Sequence, residues 1–343
     1  MLQRLLYAVA KCMKTDNKDI MLRKEFTVDK LLVKVYDNRQ SMGQAAADEA
    51  VAYLKELLAK QDEVWAIFGA APSQNEILAG LVAAEGVDWT RVHALHMDEY
   101  VNLASDAPQG FGNFLRRAIF DKLPFASIEF IGSEGDPQEK IERYNKILEE
   151  HPIDVVFMGI GENGHIAFND PHVADFNDPK MIKVAKLDEV CRNQQVNDGC
   201  FAKIDDVPTH ALTLTIPTLT NVKAMFCSVP AATKRWAVNE TINGEITDQC
   251  PATIMRKHAK GIDSYMYDLC RSGLVKTPKD FFMQVVKREI RYLYIKTRWA
   301  FRISLSLTAV LISLDCFFMI TSYYNKISSV LLVKQARTKN IMG

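Results

Sequence analysis

Residues 154–171 read DVVFMGIGENGHIAFNDP, and Val155, Val156, Phe157, Met158 and Ile160 within them form an apolar run of strand length with no polar alternation. A strand with no polar face must be covered on both sides, as in a parallel sheet that carries helices on both faces. The run breaks into Gly159, Gly161 and Gly164, which let the backbone turn tightly and approach a ligand closely. Open α/β sheets bind ligands beyond the carboxyl ends of their strands, so Glu162, Asn163, His165 and Asp170 are delivered to a functional edge. A lone GxGxxG is also met in plain glycine turns with a structural histidine, and the surroundings must decide.

The surroundings repeat the pattern. From Arg39 to Lys60, Ala46, Ala50, Leu54, Leu57 and Leu58 recur at helical spacing between charges. Val64–Phe68 (VWAIF) reads as a buried strand, and Gly69-Ala70-Ala71-Pro72-Ser73 as the turn into a helix through Ile77, Leu78 and Leu81, with Ser73 as its N-cap. Val92–Met97 is the next strand and carries Asp98-Glu99-Tyr100 at its end. Helices are predicted over Phe111–Leu123 and Pro137–Glu150, the second opened by Asp136 as cap and Pro137 in the first turn, with a strand at Ile128–Ile131 between them. Strands follow within Pro208–Thr220, at Lys223–Val229 and at Asp263–Tyr267, with helices opening at Thr233-Lys234 and over Pro251–His258. This alternation predicts an α/β fold: a doubly wound, mostly parallel, Rossmann-like sheet with helices on both faces.

Charge narrows the partners. Among 343 residues, Lys plus Arg and Asp plus Glu number 42 each, so the basic footprint of a nucleic-acid-binding chain is missing. Seven cysteines are scattered with no CxxC, which suggests neither a disulfide framework nor a zinc ribbon and points to the reducing cytoplasm. No HExxH occurs, and His93 and His96 fall on opposite faces of one strand, so no metal is expected. Residues 1–20 read as an extension, 21–278 as the folded domain, and 279–343 as an unrelated hydrophobic and basic tail. Within the tail, 303–323 is long enough to span a bilayer, but Asp315 offsets about 3 kcal/mol of its apolar insertion energy. Three readings of that segment stand side by side: a span, a hairpin packed on the domain, or a stretch that does not fold with it.

Three local features point to chemistry. The small-residue loop at Gly69–Ser73, between a strand and a helix, offers free N–H groups and the positive end of a helix dipole to an anion such as phosphate. Asp98 and Glu99, adjacent acids at a strand end, are suited to act as a general base. Lys234 opens a helix after another apolar strand.

GIGENGHIAFNDP resembles the signature of the glucosamine-6-phosphate deaminase/isomerase family, G-I/V-G-x-D-G-H-I-A-F-N-E-P, within the superfamily that also holds 6-phosphogluconolactonases. MDEY, at Met97–Tyr100, is a second match, and the likeness covers roughly residues 25–275. Lactonases normally continue the glycine-histidine core as HTASLFP, so IAFNDP points to the amino-sugar branch. Two positions depart from the pattern: Asn163 stands where the family usually has a catalytic aspartate, and Asp170 where it usually has a glutamate.

The resemblance implies that Asp98 moves a proton between C2 and C1 and that His165 assists ring opening. Asp170 orients that histidine, and Asn163 occupies the remaining catalytic position. Gly69, Ala70, Ala71, Ser73, Glu99, Gly161, Gly164 and Lys234 are the implied substrate and phosphate contacts. A phosphate-binding arginine belongs near residues 191–195, where Arg192, Gln194 and Gln195 compete for the place. The implied reaction converts glucosamine 6-phosphate and water to fructose 6-phosphate and ammonia, without metal or organic cofactor, in a cytoplasmic homo-oligomer whose partner is a small sugar phosphate. A 6-phosphogluconolactonase-type hydrolase and a non-catalytic sugar-phosphate-binding regulator are the alternatives.

Overall fold

A computed structural model describes residues 22–258 and 262–267, the latter as backbone. The chain divides into two units after Val275, and all of these residues belong to the first. Eleven strands are seen among them: β1 (Leu22–Val28), β2 (Leu31–Tyr36), β3 (Val64–Phe68), β4 (Val92–His96), β5 (Asp98–Tyr100), β6 (Ser127–Glu129), β7 (Val155–Met158), β8 (Ile182–Lys186), β9 (His210–Leu214), β10 (Ala224–Val229) and β11 (Ile262–Tyr267). Eight of them form one sheet in the order β1-β2-β11-β10-β7-β3-β4-β6. Only the β1–β2 hairpin at its edge is antiparallel; every other neighbouring pair runs parallel.

The uninterrupted apolar runs are explained by cover on both faces. Along β3, Val64, Ala66 and Phe68 enter one core while Trp65 and Ile67 enter the other. Along β7, Val155 and Phe157 face the first core, and Val156 and Met158 the second. The first core is closed by α1 (Arg39–Leu58), α2 (Asn75–Ala83) and α3 (Phe111–Leu115). The second is closed by α4 (Pro137–Glu150), through Tyr144 and Leu148, and by α7 (Arg235–Asn243), through Ala237, Val238 and Ile242. Two further short α-helices lie among the described residues, α5 (Glu189–Asn197) and α6 (Ile216–Thr220). Asp154 ties the lower ends of the central strands, accepting from Trp65 N at 2.9 Å and pairing with Lys223 Nζ at 2.6 Å.

Several local expectations are corrected. Ser73 does not cap a helix: a 3₁₀ turn over Pro72–Gln74 precedes α2 with no side-chain cap, and the Ser73 hydroxyl accepts from Gln74 Nε2 instead. The predicted helix at Phe111–Leu123 is α3 followed by a π-turn over Arg116–Phe120. Strand β4 stops at His96, and Asp98–Tyr100 leaves the main sheet to pair with β9 in a separate antiparallel sheet of order β5-β9-β8. The predicted cap at Asp136 is present, accepting from Gln138 N at 3.0 Å. Among the described residues no helix is long and apolar enough to cross a membrane. Residues 1–20 and the segment 303–323 lie outside them.

Candidate active site

The upper ends of β3, β4, β7 and β10 open on one cleft. Gly69, Ala70, Ala71 and Ser73 line it after β3, Asp98 after β4, Gly161 and His165 after β7, and Lys234 after β10. Gln74, Gln194 and Gln195 add amides, and Met97, Phe111, Ala167 and Phe168 add apolar wall. Eight of the residues singled out from sequence thus share one space. Glu99, Asn163, Gly164 and Asp170 stand outside its lining.

Each of those four has its own task. The Glu99 carboxylate accepts from the backbone N–H groups of Tyr100, Phe111 and Gly112 at 2.9–3.1 Å, fixing the start of α3 and turned from the cleft. Burial raises its pKa, and those three bonds pull it back. Gly164 sits at φ +84, and a Cβ there would lie 2.5 Å from Cys250 Sγ. Gly161 is needed for a different reason: a Cβ would fall 2.2 Å from the His165 ring, so the imidazole occupies the space that glycine leaves.

His165 Nδ1 lies 3.0 Å from Asp170 Oδ1, although the contact is not aligned as a directed hydrogen bond. Asp170 is fully buried. Burial alone would raise its pKa, but the close His165 ring and its charge, the Asn163 amide and the Asp188 N–H outweigh that and hold it below the usual carboxylate range. Asn163 Nδ2 donates to Asp170 Oδ1 at 3.0 Å and Asp188 Oδ2 at 3.1 Å, while its Oδ1 accepts from His165 N at 3.1 Å.

Asp98 is 6% exposed, and burial together with the neighbouring Glu99 charge pushes its carboxyl well above the ordinary range. His96 positions it: Ile131 N donates to His96 Nε2 at 2.9 Å, which leaves Nδ1 to donate to the Asp98 carbonyl at 2.9 Å. Lys234 is 4% exposed and has no salt bridge to a described residue. Burial lowers its pKa, while Asp198 and Glu162 at longer range raise it. A buried cation facing a cleft calls for an anion there. Arg192 does not supply a second cation, because it turns away to the carbonyls of Ile204 and Val207 at 2.7 and 2.9 Å. Gln194 and Gln195 take the cleft-facing place on α5 instead.

His165, Asp170 and Cys191 each bring one possible metal-ligand atom within 4.8 Å of the others, a grouping not visible in the sequence spacing. A thiol must ionise to bind a metal, and burial with Asp170 and Asp188 nearby pushes the Cys191 thiol well up. No step is therefore routed through a metal. Sequence reasoning also missed Asp188, whose signal was its place one residue before an amphipathic turn, as an N-cap.

Comparison with known proteins bears on the family and the fold. The model of the family described as glucosamine-6-phosphate isomerases/6-phosphogluconolactonase matches residues 37–263. The chain belongs to that family. Its relatives include a glucosamine-6-phosphate deaminase of Bacillus cereus (strain G9842), 38% identical over 200 residues, which covers 57% of this chain and 74% of the relative. One from Bacillus thuringiensis (strain Al Hakam) is 37% identical over the same shares. Among solved structures, a monomeric glucosamine-6-phosphate deaminase superposes with a TM-score of 0.63 at 22% identity, over 71% of this chain and 99% of the other. The 6-phosphogluconolactonase of Thermotoga maritima superposes at 0.57 with 14% identity, over 69% and 99%. At those identities the structural likenesses speak for the family's Rossmann-like α/β fold alone.

Proposed function

We propose that the protein is an isomerase-deaminase of a 2-amino-2-deoxyhexose 6-phosphate, converting glucosamine 6-phosphate and water to fructose 6-phosphate and ammonia. The observation that carries this reading is the sharing of one cleft by a buried carboxylate, an imidazole paired with a second carboxylate, and a cation with no ion pair among the described residues. Those are the three parts the reaction needs: a base for C2, a proton-exchanging group for the ring oxygen, and an anchor for phosphate.

The phosphate is held by Lys234 and the N–H groups of Ala70 and Ala71, the Gly69 N–H being spent on the Phe157 carbonyl at 2.7 Å, so that binding energy far from the reacting carbons positions them. His165 exchanges a proton with the ring oxygen, opening the pyranose to the aldehyde. Asp170, held ionised, stabilises the imidazolium formed on the way. Asp98 takes the C2 proton; its raised pKa makes it a stronger base than a solvated aspartate. The same proton is returned to C1 while a second passes from the amino nitrogen to the C1 oxygen, leaving an imine at C2. Water adds to that imine, ammonia departs, and the ketose is released. No redox change occurs, and none of these steps needs an organic cofactor.

The test is a panel of phosphorylated amino sugars and 6-phosphogluconolactone, assayed for ammonia, ketose and acid release. Ammonia and ketose in equal amounts from glucosamine 6-phosphate are expected. Lactone hydrolysis without ammonia would move the assignment to the other branch of the family, and tight binding of every sugar phosphate with no turnover would make the protein a sensor.

A further inference from the structure

We infer that Asn163 and Asp188 form a charge-matched clamp that positions the His165–Asp170 pair, so that the asparagine is required here and not a weakened form of the family's aspartate. The inference rests on the deaminase reading only for its kinetic arm. Its structural basis is the complete use of one amide. Both Nδ2 hydrogens of Asn163 are spent, on Asp170 Oδ1 at 3.0 Å and Asp188 Oδ2 at 3.1 Å, and Oδ1 takes the His165 N–H at 3.1 Å. Asp188 returns the contact with its backbone, donating from N to Asp170 Oδ2 at 3.3 Å. Its other oxygen accepts from Cys191 N at 2.6 Å, so Asp188 is also the cap that starts α5.

Two carboxylates brought this close repel unless a donor stands between them, and Asn163 is that donor. A carboxylate at position 163 would remove both N–H groups and add a third negative charge beside Asp170 and Asp188. Where the family's usual aspartate stands at this position, a second acid at position 188 in the same geometry would have to be absent or neutral. Asn163 and Asp188 are therefore a matched exchange: the charge removed from the loop is present on the cap of α5.

The clamp also joins two parts of the site. Glu162 N donates to Gln194 Oε1 at 2.8 Å, one residue from Asn163 and, on α5, under two turns from Asp188. The loop that carries His165 and the helix that brings Gln194 and Gln195 to the cleft are thereby held in one register. Neither Asn163 nor Asp188 lines the cleft, so both act through Asp170 and His165.

The test is a swap across the pair. Asn163→Asp, Asp188→Asn and the double variant are compared by urea unfolding and by steady-state kinetics on glucosamine 6-phosphate. Asp188→Asn keeps an oxygen for Cys191 N and so the cap of α5, while its amide nitrogen meets the Asn163 amide donor to donor, so it folds and serves as the second single variant. The expected result is a lowered urea midpoint for Asn163→Asp, recovered in part in the double variant, where the carboxylate at 163 accepts from the amide at 188 but still meets Asp170 with no donor between them. The kinetic expectation for Asn163→Asp is a fall in kcat of about 10²-fold with KM within about 3-fold, recovered to within about 10-fold by the swap. An Asn163→Asp protein as stable and active as the parent overturns the inference, as does a double variant no better than the single one. A midpoint that falls and recovers while kcat never moves reduces the clamp to structure and also overturns it. If the parent releases no ammonia at all, the functional reading fails instead, and the unfolding cycle still decides whether the clamp exists.

Discussion

His96 links the stability of the fold to the placement of Asp98, and pH separates its contribution from the rest. Its ring is fully buried at the end of β4, accepts from Ile131 N and donates to the Asp98 carbonyl. Protonation would set an Nε2–H against the Ile131 N–H, and burial, with Arg143 nearby adding to it, depresses the pKa from 6.5 to about 4. Well above pH 6.5 the residue is neutral in folded and unfolded chains alike, and its contribution is fully present. As pH falls from 6.5 towards 4 the unfolded chain binds the proton first, so the folded state loses stability: about 2 kcal/mol at pH 5 relative to pH 8, and roughly 3 kcal/mol once below the folded pKa. Asp98 and Glu99 have the opposite sign. Their raised pKa values mean that the folded chain takes up their protons first, which stabilises it as pH falls towards the ordinary carboxylate range.

A bare pH profile mixes these signs, and a His96→Gln variant separates them. The variant should be less stable at pH 8 by about 1–3 kcal/mol, because glutamine cannot meet both partners at the imidazole's spacing. Its deficit should shrink by about 2 kcal/mol at pH 5, where the parent alone loses the histidine term. With an m-value of about 3 kcal/mol per M, the gap between urea midpoints narrows by roughly 0.7 M, which far-ultraviolet circular dichroism resolves. A gap that is the same at pH 5 and pH 8, or wider at pH 5, would refute a buried neutral His96.

Other perturbations address the chemistry. Asp98→Asn keeps shape and removes the base; turnover and C2 deuterium exchange should fall by about 10²- to 10⁴-fold with phosphate-ester binding retained, and persistent exchange would put the base elsewhere. Lys234→Met removes a buried cation for a side chain of similar length. KM should rise by about 10- to 150-fold, from the loss of a charge-assisted contact, while the urea midpoint stays level or rises. An unchanged KM would mean that the phosphate is held by backbone alone. Gly161→Ala drives a methyl into the His165 ring and should cost turnover by about 10²-fold with the sheet intact by circular dichroism; full activity would show that the ring has another seat.

Much of the architecture was legible in the sequence, because its causes are local. The run Val155–Met158 carries no polar residue, so it could only be a strand covered twice, and both cores duly receive alternate residues of it. Asp136-Pro137 announces the start of α4 through groups only two residues apart. The glycines after β7 marked the place where His165 sits, since the chain needs them for a close approach wherever that loop is put. What the sequence alone could not determine depends on residues far apart in the chain. Asp98–Tyr100 pairs with β9 more than a hundred residues later, and no local pattern sets that partner. The choice of Gln194 and Gln195 over Arg192 is made by the orientation of α5, which sends the guanidinium to the carbonyls of Ile204 and Val207. The same holds for Asn163: beside His165 in sequence it reads as a lost charge, and only the folded chain brings Asp188 within 3.1 Å to supply one, because the carboxylate arrives on a helix cap that begins twenty-five residues further on.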